Sequence, residues 1–277
     1  MKINDLALHH FSLFDVTPDL LLSAAAEAGF SRVCIFAQCP PSEQDKSLFS
    51  FVDDSNKQHF KSLLQDFAIK VSNIEFFQLH EDTCVAEFER ALALGAELGA
   101  SLAVTHIHDT QRSRALDTFS EFSDLAARYD IKLGLEFMGL TPGCRNLDEA
   151  LWFVRQSGRR NVGVGVDALH LHLTGGVATD LIDIEPTAIA YAQLCDTHAV
   201  FDPALIADEA RYLELAFARQ LPGEGIIDLP AFVQYLPADT PVDIEVPYPD
   251  RDSNSETPAQ YARRIMQATR VLLNTVE

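Results

Sequence analysis

Eight short apolar runs, most of them separated by stretches with helical spacing, divide this chain from one end to the other. The runs are Leu6–Ser12, Arg32–Phe36, Lys70–Phe76, Leu102–Ile107, Lys132–Phe137, Val162–Val166, Ile189–Leu194 and Pro241–Val246. Runs of this length, bounded by Gly and polar residues, read as buried strands. Helical spacing fills Thr17–Ala28, Ser55–Phe67, Cys84–Gly99, Leu116–Tyr129, Leu147–Gln156 and the closing Pro258–Val276. Pro18 opens the first helix and Gly29 stops it, while Asn146 caps the fifth and Gly158 ends it. Ala178–Ile184 reads as only a short helix, and Cys195–Ile227 as a long irregular loop, a kind more often functional than idle. Strands alternating with helices imply a parallel sheet with right-handed crossovers, and eight such units close into a (β/α)8 TIM barrel. An open doubly wound sheet would carry a glycine-rich turn after its first strand, and His9–Asp15 (HHFSLFD) contains no glycine. The expectation is one α/β barrel domain over residues 1–277.

The length of 277 residues suits that fold, which typically takes about 250. Lys and Arg total 21 against 41 Asp and Glu, a formal charge of −20. Such a surface repels nucleic-acid backbones and anionic membranes, so neither is expected as a partner. The cysteines (Cys34, Cys39, Cys84, Cys144, Cys195) are five, scattered, and without a CxxC pair. With no signal peptide at Met1–Asp5 and no apolar run of about 18 residues, the expectation is a reduced, cytoplasmic protein. A homo-oligomer is left open.

The chemistry-bearing residues fall at the carboxyl ends of the last four strands. Glu136 ends the fifth, Asp167 follows the sixth, Gln193 lies near the end of the seventh, and Glu245 near the end of the eighth. In a parallel barrel those ends converge where the βα loops meet. Any one of these acids would as readily start a turn or cap a helix. Three carboxylates and an amide at one point would repel each other unless a cation sits among them. Oxygen ligation favours Mg²⁺ or Mn²⁺, although carboxylate-rich sites also take Zn²⁺ or Co²⁺.

Four stretches carry a wider likeness: LGLEFMG around Glu136, VDALHLHLTGG around Asp167 and His170, AQLCD around Gln193, and LPGEGIIDL followed by IEVPYPD. With these, the chain resembles the sugar phosphate isomerase/epimerase family, the xylose isomerase-like barrels that include inosose and 3-dehydroshikimate dehydratases. The resemblance implies one divalent metal held by Glu136, Asp167, Gln193 and Glu245. It also implies that His170, the histidine of a D-x-x-H turn, contacts substrate. Ketose 3-epimerases of that family place His at the seventh-strand position and carry a second Glu soon after the first. Here the former is Gln193, and Met138–Cys144 holds no acid. A seventh-strand glutamine within AQLCD is similar to the bacterial 3-dehydroshikimate dehydratases.

Further candidates surround this set. His106 and His108 end the fourth strand, and His106 is a candidate substrate contact or a buried barrel residue. Arg219 precedes the LPGEG turn, where it could pair with a substrate anion or with a surface acid. Asp196 and His198 follow Gln193 and are candidates for shaping the site, His198 by touching substrate. Alternation sends only one of His9 and His10 inward. Trp152 falls on the apolar side of its helix, and the turn around Glu224 serves to position the last strand. The implied reaction is proton transfer next to the carbonyl of a small polyhydroxylated substrate, with Glu136, Glu245 and His170 as the acid–base groups. Return of the proton gives isomerisation or epimerisation, and loss of a β-hydroxyl gives dehydration. A non-catalytic sugar-binding protein would keep the pocket without a metal. An endonuclease IV-type enzyme would need more histidines and a basic surface.

Overall fold

A computed structural model of the chain describes residues 6–39, 49–247 and 256–276. The expectations for Met1–Asp5, and for Tyr248–Asp250 of the IEVPYPD stretch, lie outside these residues. Eight parallel strands close into a barrel in sequence order: β1 (Leu6–His9), β2 (Arg32–Phe36), β3 (Lys70–Leu79), β4 (Leu102–Ile107), β5 (Lys132–Glu136), β6 (Val162–Asp167), β7 (Ile189–Leu194) and β8 (Val242–Ile244). The last strand pairs with the first through Leu6–Val242, Ala7–Asp243 and Leu8–Ile244. The (β/α)8 expectation is therefore met.

The helices are α1 (Pro18–Ala28), α2 (Lys57–Asp66), α3 (Glu89–Glu97), α4 (Arg112–Ala127), α5 (Leu147–Ser157), α6 (Ala168–Leu173), α7 (Glu209–Phe217), α8 (Leu229–Tyr235) and α9 (Pro258–Leu273). Asn146 caps α5 by accepting from Glu149 N, and Gly158 leaves it at φ 62°, a left-handed conformation that favours glycine. Several boundaries depart from expectation, among them β3, which runs on to Leu79, and α4, which begins at Arg112. β1 stops at His9 because the chain turns into a 3₁₀ segment, His10–Leu13, with Phe11 N–H donating to His9 Nδ1. Ala178–Leu181 is a single 3₁₀ turn. The Cys195–Ile227 stretch contains all of α7, and α8 follows it, each capped by an aspartate: Asp208 for α7, Asp228 for α8.

Apolar side chains on the outer face of the strands pack against the helices, as do Leu133 and Leu135 of β5 and Val164 and Val166 of β6, all fully buried. The inward face differs. Midway along the barrel the Tyr191 ring lies against Gly134 and Gly165, where a Cβ on either glycine would run into it. Leu102, Val104 and Ala190 complete this small inner cluster. Toward the amino ends of the strands lies a concavity of about 500 Å³, lined by Leu6, Ser72, Leu102 and Val242 among others. Toward the carboxyl ends, the inward positions are polar.

Candidate metal centre and cavity

Glu136 ends β5, buried, with one oxygen doubly bonded: Oε2 accepts from the Tyr191 hydroxyl at 3.0 Å and lies 3.1 Å from His106 Nε2. Burial works against charging His106, but its bond to Glu136 and that carboxylate's charge outweigh it and raise its pKa. The other oxygen, Oε1, faces His170 Nε2 at 3.7 Å.

Asp167 ends β6 and caps α6. Its Oδ1 accepts from Leu169 N at 2.6 Å and His170 N at 3.1 Å, which fixes His170 over the pocket. Burial, opposed mainly by Asp167, lowers the pKa of His170 and keeps it neutral, and its Nδ1 meets the Tyr212 hydroxyl at 2.9 Å. Gln193, fully buried on β7, donates from Nε2 to Glu245 Oε2, while its Oε1 is buried without a partner. Glu245 follows β8. Burial first, then the charges of Asp167 and Glu136, push its pKa up to about 7 against the pull of Arg219 and His9. Arg219 is buried too, with Nη1 2.5 Å from Asp167 Oδ2 and Nη2 2.8 Å from Glu245 Oε1.

Strands five to eight thus bring Glu136, Asp167, Gln193 and Glu245 to one region, with His106, His170 and Arg219 beside them. His198 is a correction: it is exposed and does not line the cavity. The chain around it turns outward because Asp196 is buried as an anchor for the next loop, accepting from Gly223 N and Ile227 N. His9 and His10 are both buried, but only His9 points inward, and His10 bonds Val16 O from the 3₁₀ turn. Trp152 is half-buried against the core with Arg112 over its ring.

Sequence reasoning missed Glu75. It lies on β3, buried, and lines the cavity, with Oε1 2.9 Å from His9 Nε2 and 3.5 Å from Cys34 Sγ. Asn73 and Glu75 sit two apart, the period of an inward face, and that was the available signal. Burial raises the carboxyl of Glu75, but His9 overcomes this and lowers it. Burial works against charging His9, but the carboxylates of Glu75 and Glu245 pull it upward in turn. Its hydrogen bonds oppose a second ring proton, because Nδ1 accepts from Phe11 N–H at 3.0 Å. The geometry therefore places a single proton on Nε2, facing Glu75. For the same reason the cluster of His9, Cys34 and Asp243 is a poor ion site: Nε2 carries a proton, and burial holds the Cys34 thiol far above its usual range.

The cavity above these groups measures about 440 Å³. Its polar floor is Glu75, His106, Glu136, His170, Arg219 and Glu245. Its other wall is aromatic: Phe36 stacks on Phe76 at 4.7 Å, Phe49 packs on both, and Phe11 meets Phe217 at 5.0 Å. The floor fits a divalent ion by its donor chemistry, with three carboxylates, a single guanidinium among them, and an orphaned amide oxygen on Gln193. Glu136, Asp167 and His170 offer one ligand atom each, all within 4.8 Å of one another, a group that shares Glu136 and Asp167 with the expected set and does not include Glu245.

A parallel eight-stranded barrel with an acidic floor at its carboxyl ends defines a class of small-molecule sites. Residues 22–269 match the xylose isomerase-like TIM barrel family, and the chain belongs to it. The inosose isomerase of Bacillus subtilis is 31% identical over 127 residues, 45% of this chain and 42% of that protein. The chain thus matches less than half the length of that relative. The inosose isomerase of Bacillus velezensis is 26% identical over 203 residues, 70% of this chain and 68% of that protein. The solved structure of the IolI protein with a bound zinc atom superposes with a TM-score of 0.79 at 20% identity over 99% of each chain. At that identity the likeness is one of fold. Among the described residues, no helix is long and apolar enough to cross a membrane.

Proposed function

We propose that this protein is a divalent-metal-dependent isomerase or epimerase that moves a proton next to the carbonyl of a small polyhydroxylated substrate. The observation that carries the reading is that Glu136 and Glu245 line the floor of one cavity beside a neutral His170, with Asp167 and Gln193 buried behind them and tied to Glu245 through Arg219 and the Gln193 amide. The inosose isomerase relatives and the zinc-bound fold relative support it. Glu136, Asp167, Gln193 and Glu245 would hold the ion, with Mg²⁺ or Mn²⁺ favoured by oxygen ligation and Zn²⁺ or Co²⁺ compatible. When bound, such an ion polarises a carbonyl as a Lewis acid.

The chain's own residues then divide the remaining work. His170 or a floor carboxylate takes the α-proton, and Tyr212 orients His170 through Nδ1. The phenylalanine wall excludes water and covers the bare carbon face of the substrate. That same wall favours a second reading. A dehydratase acting on a ring-shaped carbonyl compound would form a flatter, less polar product suited to stacking on Phe36 and Phe76. Inososes, keto-sugars and 3-dehydroshikimate, incubated in D₂O with Mn²⁺-loaded and EDTA-stripped protein, separate the readings by NMR. Metal-dependent loss of an α-proton with retention of every hydroxyl supports isomerisation, and loss of a hydroxyl supports dehydration. Absence of exchange on all three substrate types would reject both.

A further inference from the structure

Arg219 is buried at the cavity floor, and each edge of its guanidinium meets the protein. Nη1 meets Asp167 at 2.5 Å, Nη2 meets Glu245 at 2.8 Å, and Nε donates to Ala216 O at 3.0 Å. Its two acids come from β6 and from the residue after β8, with the guanidinium spanning the gap between them. Such a planar fork can bridge two carboxylates where an ammonium cannot. The remaining lone pairs of those acids are also engaged. Asp167 Oδ1 accepts from two backbone N–H groups, and Glu245 Oε2 accepts from the Gln193 amide. Gln193 turns its nitrogen toward Glu245 and leaves its oxygen, the atom an ion would want, without a partner. Two buried carboxylates this close need a cation. Here the chain supplies it.

We propose that Arg219 is a resident cation at Asp167 and Glu245, and that a divalent ion binds by taking over those two carboxylates from the guanidinium. This rests on reading the acidic floor as an ion site. The exchange keeps the floor assembled before an ion arrives, and it sets a threshold that weakly bound ions do not cross. Arg219 also lines the cavity, so the guanidinium released from the acids is in reach of substrate oxygens. Ion loading and substrate capture are then linked through one side chain.

The test uses the whole protein, stripped with EDTA and titrated with Mn²⁺, Mg²⁺ and Zn²⁺ by calorimetry, with melting curves taken in parallel. Arg219→Gln should melt lower than wild type without ion. It should bind Mn²⁺ at least about tenfold tighter, since a fixed positive charge next to the ion is gone. Arg219→Lys keeps the charge but spans the acids poorly, and should shift affinity in the same direction by less. Arg114→Gln breaks an ion pair with Asp109 outside the floor and should leave Mn²⁺ affinity unchanged. Recovery of folded Arg219→Gln only in the presence of Mn²⁺ also supports the exchange. Equal or weaker Mn²⁺ binding in Arg219→Gln overturns it, as does failure of wild type and variant alike to bind any ion. If Arg219→Gln folds under neither condition, unchanged or weaker affinity in Arg219→Lys overturns it. Absence of turnover, with these affinity shifts intact, would reject the proton-transfer reading and leave the exchange standing.

Discussion

Strands β5–β8 present Glu136, Asp167, Gln193 and, one residue beyond β8, Glu245, whereas β1–β4 present His9, Cys34, Glu75 and His106. One half is a set of acids closed around a single base, Arg219, within 2.8 Å of two of them. The other half is a set of weak bases and a thiol closed around a single acid, Glu75, with His9 at 2.9 Å. In each half a buried acid is met by a base at hydrogen-bond distance, in a region where unpaired charge would be costly. Their roles differ accordingly. The acid half suits holding an ion, and the imidazole half suits fixing a carboxylate that faces substrate without being claimed by the ion.

Three substitutions probe that division, in descending size of effect. Glu136→Gln, in the acid half, should lower proton-transfer turnover by about 10³-fold and weaken ion binding together, because one group serves both. Turnover and ion affinity are measured on the same preparation. Glu75→Gln, in the imidazole half, should lower turnover by about 10²-fold while leaving Mn²⁺ affinity near that of wild type. Loss of the ion in Glu75→Gln would erase the distinction between the halves.

The third substitution concerns pH. His10 stacks on Phe36 at 4.7 Å, and burial, only partly offset by its bond to Val16, lowers its pKa from 6.5 to about 4. Between those values the unfolded chain takes up a proton that the folded chain refuses. The stability His10 allows is therefore complete above about pH 6.5 and declines as pH falls toward 4, by about 2 kcal/mol between pH 7 and 5. His10→Phe retains the stack and removes the proton site, so its denaturant-unfolding free energy should be flatter over that range. An identical slope in both proteins would show that His10, beside the imidazole half and not within it, is not a source of acid sensitivity.

The strands were readable where burial on both faces makes a continuous apolar run. Arg32–Phe36, Leu102–Ile107 and Ile189–Leu194 are strands over the same residues in sequence and structure. Asn146 and Gly158 marked the ends of α5 because their chemistry is local. The six-residue α6 is too short to show a period, and it exists because Asp167 caps it. α7 was hidden in a stretch read as loop, and α8 in the unassigned residues after it, although Asp228 before Leu229–Pro230 is a usable start signal. The acids at the ends of β5–β8 could be gathered by the spacing of the strands. The partners of Arg219 could not, since α6, β7, α7 and the loops between them separate it from Asp167, and nothing in its neighbourhood names an acid. His198 was misplaced for a related reason: the direction of a loop residue is set by what its neighbours anchor, here Asp196.

Tyr191 has a consequence for traffic. Its ring, seated on Gly134 and Gly165 with Leu102 and Val104 beside it, stoppers the barrel between the acidic floor and the concavity at the far end. Below its acidic floor the cavity is therefore closed by the barrel's own side chains. Among the described residues Phe49 and Phe217 line this cavity, so a molecule held above the floor lies against them. A smaller residue at Tyr191 would open a drain beneath Glu136, giving water a second way to the carboxylate that the stopper keeps dry.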